Sequence, residues 1–361
     1  LSPSPWIIGL MSGTSMDGID AALLRSDGLE VQEFGLALTL AYDDALRARI
    51  RAALGEQGRD VLGVSRALAE SHAEAVRRLL DEAGLRPDDV RLLGFHGHTL
   101  LHRPDRGRTW QAGDAGLLAR LSGITTVADF RSQDVALGGQ GAPLVPLYHA
   151  ALARWAKLEP PLLVLNIGGV ANITYIGGPE ESDLLAFDTG PGNALLDDWL
   201  LKKTGERLDE GGRLGAQGEV DQATLARLLQ HRYFAAKPPK SLDRDDFSAA
   251  AVAHLWPASG AATLTAFTAA AVARALEHLP KRPLRCLVTG GGRHNATMMG
   301  ELAQRLAMPL EAVEAVGWRG DALEAEAFAY LAARAEAGLS LSLPGTTGVP
   351  FPASGGRIYR I

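Results

Sequence analysis

The sequence predicts an α/β protein made of two similar domains facing each other across a cleft. Three observations carry this expectation. At 361 residues the chain is long for a single core. The layout of residues 6–24 (WIIGLMSGTSMDGIDAALL), an apolar strand, a turn of small residues and a second apolar strand, returns at residues 162–176 (LLVLNIGGVANITYI). Apolar strands also run into glycine turns at three places, residues 13–18, 168–169 and 290–292.

In order along the chain, residues 6–10, 19–26 and 29–40 read as strands joined by short polar turns. That is an antiparallel start rather than a β-α-β unit. Residues 42–54 and 60–82 carry helical apolar spacing, residues 91–95 and 109–112 read as strands, and residues 114–121 as a helix. The stretch 143–161 is the expected crossing between domains, which sets boundaries of 1–145 and 146–361. Residues 162–165 and 184–187 are strands of buried type, and the helix 194–203 follows the turn DTGPGN. Alanine-rich helices are expected at 219–229 and about 258–279. A strand at 284–289, a helix at 295–306 and a last helix after Asp321 complete the second half, and that last helix is expected to return toward the first domain.

Composition narrows the function classes. A formal net charge of −6 argues against a broad nucleic-acid-binding surface. The single cysteine, Cys286, lies in the apolar run LRCLVTG, excludes an intramolecular disulfide and reads as a small buried hydrophobe. No signal peptide pattern occurs, and the most apolar helix, near residues 261–273, is too short and alanine-rich to span a bilayer. A soluble, cytoplasmic protein without membrane or nucleic-acid partners is therefore expected.

None of the three glycine turns is a Walker A loop, and none has Rossmann spacing. Backbone N–H groups in such turns still form concave anion sites, and glycine lets phosphate oxygens approach closely. Ser12, Thr14 and Ser15 add hydroxyl donors, and Asp17 is available to hold a magnesium ion through water. An ordinary hairpin explains any one of these turns; three in a duplicated chain favour a nucleotide site. Asp188 closes a buried strand just before a helix, at the end of the sheet where open α/β folds bind ligands. The alternative reading is a helix N-cap. Phe187-Asp188-Thr189-Gly190 looks like an aspartic protease signature, but that chemistry needs a second such aspartate and none occurs. His96, His98 and His102 have spacing that could suit a metal, without a neighbouring carboxylate to complete it. Glu324, three residues after Asp321, could close a capping box.

The run GLMSGTSMDGID at 9–20 resembles the N-terminal signature of the anhydro-N-acetylmuramic acid kinases. So do HGHTLLHRP at 96–104, ADFRSQDVALGGQGAPLVP at 128–146, NIGGVANIT at 166–174 and FDTGPGN at 187–193. KSLDRDDF at 240–247, TGGGRHN at 289–295 and GDALEAEAFAYLA at 320–332 extend the resemblance over nearly the whole chain in order. Two departures are His98, where the family is expected to have glutamine, and Ala112, where a larger aliphatic residue is usual.

The resemblance implies two duplicated domains of the actin/hexokinase-like (ribonuclease H-like) kind flanking an active-site cleft. It implies a kinase that opens the 1,6 bridge of 1,6-anhydro-N-acetylmuramic acid with water and moves the γ-phosphoryl of ATP to O6, with Mg²⁺, in peptidoglycan recycling. It also implies a homodimer. Asp188 would be the general base toward water, and Glu324 would bond the sugar or that water. Nucleotide contacts would fall on Gly13, Thr14, Ser15, Met16, Asp17, Gly18, Ile19, Asp20, Gly168, Gly169, Asn172, Gly290, Gly291 and Gly292. Sugar contacts would fall on His96, His98, Asp129, Arg131 and Asn193, with the Arg131 guanidinium clamping the lactyl carboxylate. The rival readings are a plain sugar kinase of the same superfamily, which adds no water, and a non-catalytic ATPase of actin or Hsp70 type.

Overall fold

The computed structural model describes residues 4–13, 16–55, 57–242 and 246–361. The chain divides into two units, residues 1–158 with 321–361, and residues 159–320.

The first unit begins with the antiparallel ribbon β1 (Trp6–Ser12), β2 (Gly18–Ser26) and β3 (Val31–Ala41). Helices α1 (Asp44–Ala52) and α2 (Val61–Ala83) follow. The Asp43 carboxylate caps α1 by accepting from Leu46 N, and Gly84 ends α2 in the left-handed conformation. Strand β4 (Val90–Arg103) then runs parallel to β1. It is far longer than the expected 91–95, because its second half pairs with β5 (Arg108–Ala112) as a hairpin. Helix α3 (Ala115–Ser122), strand β6 (Thr126–Ala128), helix α4 (Ser132–Ala136) and helix α5 (Pro146–Trp155) complete the continuous part. One face of this sheet buries Ile8, Leu10, Leu23, Leu93 and Phe95 against Ile50, Val64, Leu68, Leu79 and Leu118 of the first three helices.

The second unit repeats the plan with β7 (Leu162–Ile167), β8 (Val170–Ile176) and β9 (Leu184–Pro191) as its antiparallel ribbon. Helices α6 (Asn193–Thr204), α7 (Gln222–Leu228) and α8 (Pro257–Ala275) lead to β10 (Cys286–Thr289), α9 (Ala296–Leu306) and β11 (Leu310–Ala312). Its core packs Leu163, Leu165, Ile173 and Phe187 against Ala269 and Val272 of α8 and Met298 and Leu302 of α9. Cys286 lies in this core and is fully buried.

The spatial orders establish the duplication. One sheet runs β3-β2-β1-β4-β6 and the other β9-β8-β7-β10-β11. In each the first three strands are antiparallel and the next two run parallel to the first. This is the ribonuclease H-like order of actin/hexokinase-type domains, present twice.

The chain leaves the first unit at 158/159 rather than at 145/146. The reason is α5, which is fastened to the first unit. Tyr148 donates its hydroxyl to Glu326 at 2.7 Å, Arg154 donates to Leu29 O at 2.7 Å, and Trp155 meets Phe34 edge-on. The last segment returns there as α10 (Leu323–Glu336), α11 (Pro344–Thr347) and β12 (Arg357–Tyr359), the last pairing with β6. Helix α10 lies directly on the sheet backbone. A Cβ on Gly9 would sit 1.7 Å from Ala325 O, and one on Gly94 would sit 2.0 Å from Phe328 O. Any side chain at those two positions would push the helix off.

Candidate functional site

In the first unit the site grows from the ends of β1 and β4. Of the glycine turn at 13–18, Thr14 and Ser15 lie outside the described residues. Met16 takes a left-handed conformation (φ 57°), donates to Gly13 O at 3.1 Å and offers its own carbonyl to Arg47 Nε. Asp17 is exposed, and its carbonyl accepts from Tyr42 N. Gly18 is required by packing, since a Cβ there would meet Leu40 O at 2.4 Å. The Ile19 side chain belongs to the core, so it offers a ligand only backbone. Asp20 accepts from Thr39 Oγ1 at 2.6 Å; burial raises its pKa, and the charges of Asp321 and Asp17 push the same way. These three carboxylates therefore share one neighbourhood. Ser12 does not offer a free hydroxyl, because it is buried and bonded to His98 and Tyr42.

His96 sits between Arg131 and Phe328. Its Nδ1 donates to Gly97 O at 2.8 Å, its Nε2 accepts from Arg131 Nε at 3.0 Å, and its ring lies tilted against Phe328 with centroids 4.5 Å apart. Burial and the Arg131 charge keep it neutral, well below the ordinary histidine pKa. His98 is also held neutral by burial, near 4. Both nitrogens of His96 and the Nδ1 of His98 are committed, and no cluster of three metal-ligating residues occurs among the described residues. The metal-binding alternative for these histidines falls with that.

Arg131 also donates to Gly141 O at 2.7 Å, and burial lowers its pKa to about 10 against the favourable charges of Glu324 and Asp134. The loop that accepts this bond is itself braced. Asp134 takes Gly141 N and the Thr347 hydroxyl, each at 2.5 Å, and Gln140 N donates to Thr347 O. Glu324 lies in the first turn of α10; burial raises its pKa while Arg131 pulls it down. The helix start has no side-chain cap, so Glu324 does not close a capping box. Asp129 takes a left-handed conformation (φ 57°) and pairs with Arg357 of β12 at 3.3 Å.

In the second unit Asp188 lies inside β9, opposite Asn172 of β8, which in turn faces Asn166 of β7. Three polar side-chain positions thus cross adjacent strands. The N-cap reading fails: Gly192 occupies that position and no side chain caps α6. The Asp188 carboxylate accepts from Leu242 N at 2.8 Å, its amide donates to Lys240 O at 3.1 Å, and its carbonyl accepts the Tyr233 hydroxyl at 2.5 Å. Burial pushes its pKa up to about 7, against the pull of the Leu242 N–H. A carboxyl poised near neutrality is what a general base requires.

The second and third glycine turns come together beside it. Gly168 O accepts Asn193 N at 2.7 Å, Gly169 O accepts Gly192 N at 3.0 Å, and Asn193 Nδ2 donates to Ile167 O. Gly290 has φ 77°, and a Cβ there would stand 2.4 Å from Asn166 Oδ1. A Cβ on Gly291 or Gly292 would lie within 3.6 Å of the Asn193 side-chain amide. Gly168, Gly169, Asn193 and the triple glycine therefore form one group of close-packed backbone. Tyr233, Lys240 and Leu242 were missed as supports of Asp188; the KSLDRDDF run at 240–247 could have pointed to Lys240 and Leu242, and no motif pointed to Tyr233.

A family model described as anhydro-N-acetylmuramic acid kinase matches residues 5–361. Proteins named anhydro-N-acetylmuramic acid kinase are similar over nearly the full length. That of Acidiphilium cryptum is 56% identical, covering 98% of both chains. That of Rhodospirillum rubrum is 55% identical over 98% of this chain and 94% of its own. That of Paramagnetospirillum magneticum is 55% identical over 97% and 98%.

Proposed function

The chain belongs to the anhydro-N-acetylmuramic acid kinase family, and from that premise we propose that it couples two events on one sugar. Water opens the 1,6 bridge of 1,6-anhydro-N-acetylmuramic acid, and the released O6 takes the γ-phosphoryl of ATP, giving N-acetylmuramic acid 6-phosphate and ADP. The observation that carries this reading is Asp188, a carboxyl held at both backbone ends and raised to about 7.

In this reading Asp188 takes the proton of a water attacking the anomeric carbon. Water enters opposite the bridging oxygen, so the anomeric centre inverts, as in inverting glycosidases. Phosphorus captures the departing O6, which takes the place of a general acid. The remaining lowering of the barrier comes from positioning and charge neutralisation. Gly13–Gly18, Ile19, Asp20, Gly168, Gly169, Asn172 and Gly290–Gly292 are assigned to the nucleotide. Backbone N–H groups in turns of small residues suit phosphate oxygens. His96, His98, Asp129, Arg131 and Asn193 are assigned to the sugar, with Arg131 on the lactyl carboxylate. Glu324 is assigned to the attacking water or the sugar hydroxyls.

Magnesium takes one or two carboxylates and fills the rest of its shell with phosphate oxygens and water. Asp17, Asp20 and Asp321 do not gather into a direct ligand set among the described residues, so they fit that demand only through water, where a divalent cation would relieve the charge that Asp321 and Asp17 add at Asp20. Asp17 would hold the ion through water, and the ion would neutralise phosphate charge. A cytoplasmic place in peptidoglycan recycling and a homodimer belong to the same proposal. No helix among the described residues is long and apolar enough to cross a membrane.

The test is Asp188→Asn. Turnover should fall by about 10²-fold or more, with ATP affinity, read by calorimetry, nearly unchanged. Substantial residual turnover would remove Asp188 from the mechanism. A plain sugar kinase is the remaining rival; it needs a base toward a free hydroxyl rather than toward water.

A further inference from the structure

Three buried side chains from separate elements meet at the end of β1. Ser12 stands opposite His98 in the parallel register of β1 and β4, and Tyr42 follows the last residue of β3. Tyr42 Oη lies 2.8 Å from Ser12 Oγ, which lies 2.9 Å from His98 Nδ1. Their exposures are 5%, 2% and 1%. Tyr42 is fixed from behind, because its own N–H donates to Asp17 O.

The proton inventory decides the direction of this chain. Two hydroxyl protons must be used, and buried donors left unbonded are costly. If Tyr42 donates to Ser12, and Ser12 donates to His98 Nδ1, both are used. If His98 Nδ1 carried the proton and donated to Ser12, Ser12 would donate to Tyr42, and the Tyr42 proton would have no acceptor among the described residues. The first arrangement leaves the neutral ring with its proton on Nε2. Each arrangement leaves one donor unbonded within the protein, and the two differ in where it lies. His98 Nε2 is not among the buried atoms that lack a partner, so its proton is open to a ligand, whereas the second arrangement would strand the hydroxyl of Tyr42, a residue only 5% exposed.

We propose that Tyr42 and Ser12 are positioning residues that lock His98 into its Nε2–H tautomer, making it a fixed hydrogen-bond donor to an oxygen of the bound sugar. The proposal rests on the sugar-site reading of the first unit. A glutamine would present an amide N–H₂ donor without help from a neighbour, whereas a histidine presents a donor only in one of its two tautomers. The proposal also explains why the Ser12 hydroxyl is not available to phosphate.

Two measurements on the full-length protein test this. Nitrogen-15 NMR of histidine-labelled protein at neutral pH should show the His98 Nδ1 as unprotonated and Nε2 as protonated. The reverse pattern, or an equal mixture, overturns the lock whatever the enzyme's substrate. A kinetic cycle then tests its purpose. Tyr42→Phe should raise KM for 1,6-anhydro-N-acetylmuramic acid by about three- to tenfold, with a smaller change in kcat. In a His98→Gln background the same Tyr42→Phe change should leave KM where that background sets it. An equal penalty in both backgrounds would mean that Tyr42 acts by packing alone and would overturn the positioning role. If the protein does not act on this sugar, the kinetic arm fails outright while the NMR arm still reads the tautomer. The two failures are therefore distinct.

Discussion

Asp188 links chemistry and stability through one proton. Its folded pKa of about 7 lies above the ordinary 3.8 because burial disfavours the charged form. A carboxyl with a raised folded pKa stabilises the fold while protonated. That contribution is complete below about pH 4 and is lost as pH rises through about 7. The base is needed in the opposite, ionised state. The rate at low substrate should therefore fall about tenfold per pH unit below 7, and Asp188→Asn should raise the thermal midpoint at pH 8 while leaving it nearly unchanged at pH 4. A profile flat from pH 5 to 8 would show that this carboxyl does not act as the base. The residue itself was legible in the sequence, as a carboxylate closing a buried strand. Its supports were not, because Tyr233 and Leu242 lie 45 and 54 residues away and act through a hydroxyl and a backbone N–H. Side-chain pattern does not encode a backbone donor.

At the scale of elements, two devices position the site. The first is the turn at Gly290, where the left-handed backbone and the 2.4 Å approach to Asn166 Oδ1 both exclude a side chain. Gly290→Ala should weaken ATP binding by about tenfold or more, from a cost of about 1–3 kcal/mol, while leaving sugar affinity unchanged. Calorimetric titration with each ligand separates these outcomes. The second device is the brace between α4 and α11, where the Thr347 hydroxyl and Gly141 N–H share the Asp134 carboxylate. Thr347→Val removes one donor and frees the loop that accepts from Arg131. KM for the sugar should rise several-fold with ATP affinity unchanged; a rise in both would show general loosening instead. The glycine turns and most helices were legible in the sequence, since turn chemistry and the 3.6-residue period are local signals. The hairpin half of β4, the three-residue strands β6, β11 and β12, and the brace from α11 were not. Three-residue strands carry too few residues to show a period, and the brace joins residues 213 positions apart.

For the whole molecule, duplication is the organising fact. Two sheets share one strand order, and each places a turn of small residues after its first strand. The repeat was visible because both copies keep the sequence strand, turn, strand. The domain boundary was not placed correctly, because α5 carries no compositional break and its attachment depends on Tyr148, Arg154 and Trp155 meeting distant partners. The landing site of α10 is written in Gly9 and Gly94, but a glycine in a strand does not announce which helix covers it.

The central claim is that one enzyme adds water and phosphoryl to the same sugar. The most direct measurement is the mass of the product formed from 1,6-anhydro-N-acetylmuramic acid with ATP and magnesium. A gain of one phosphoryl group together with one water is the predicted result. A gain of phosphoryl alone would mean an ordinary sugar kinase and would contradict the role given to Asp188.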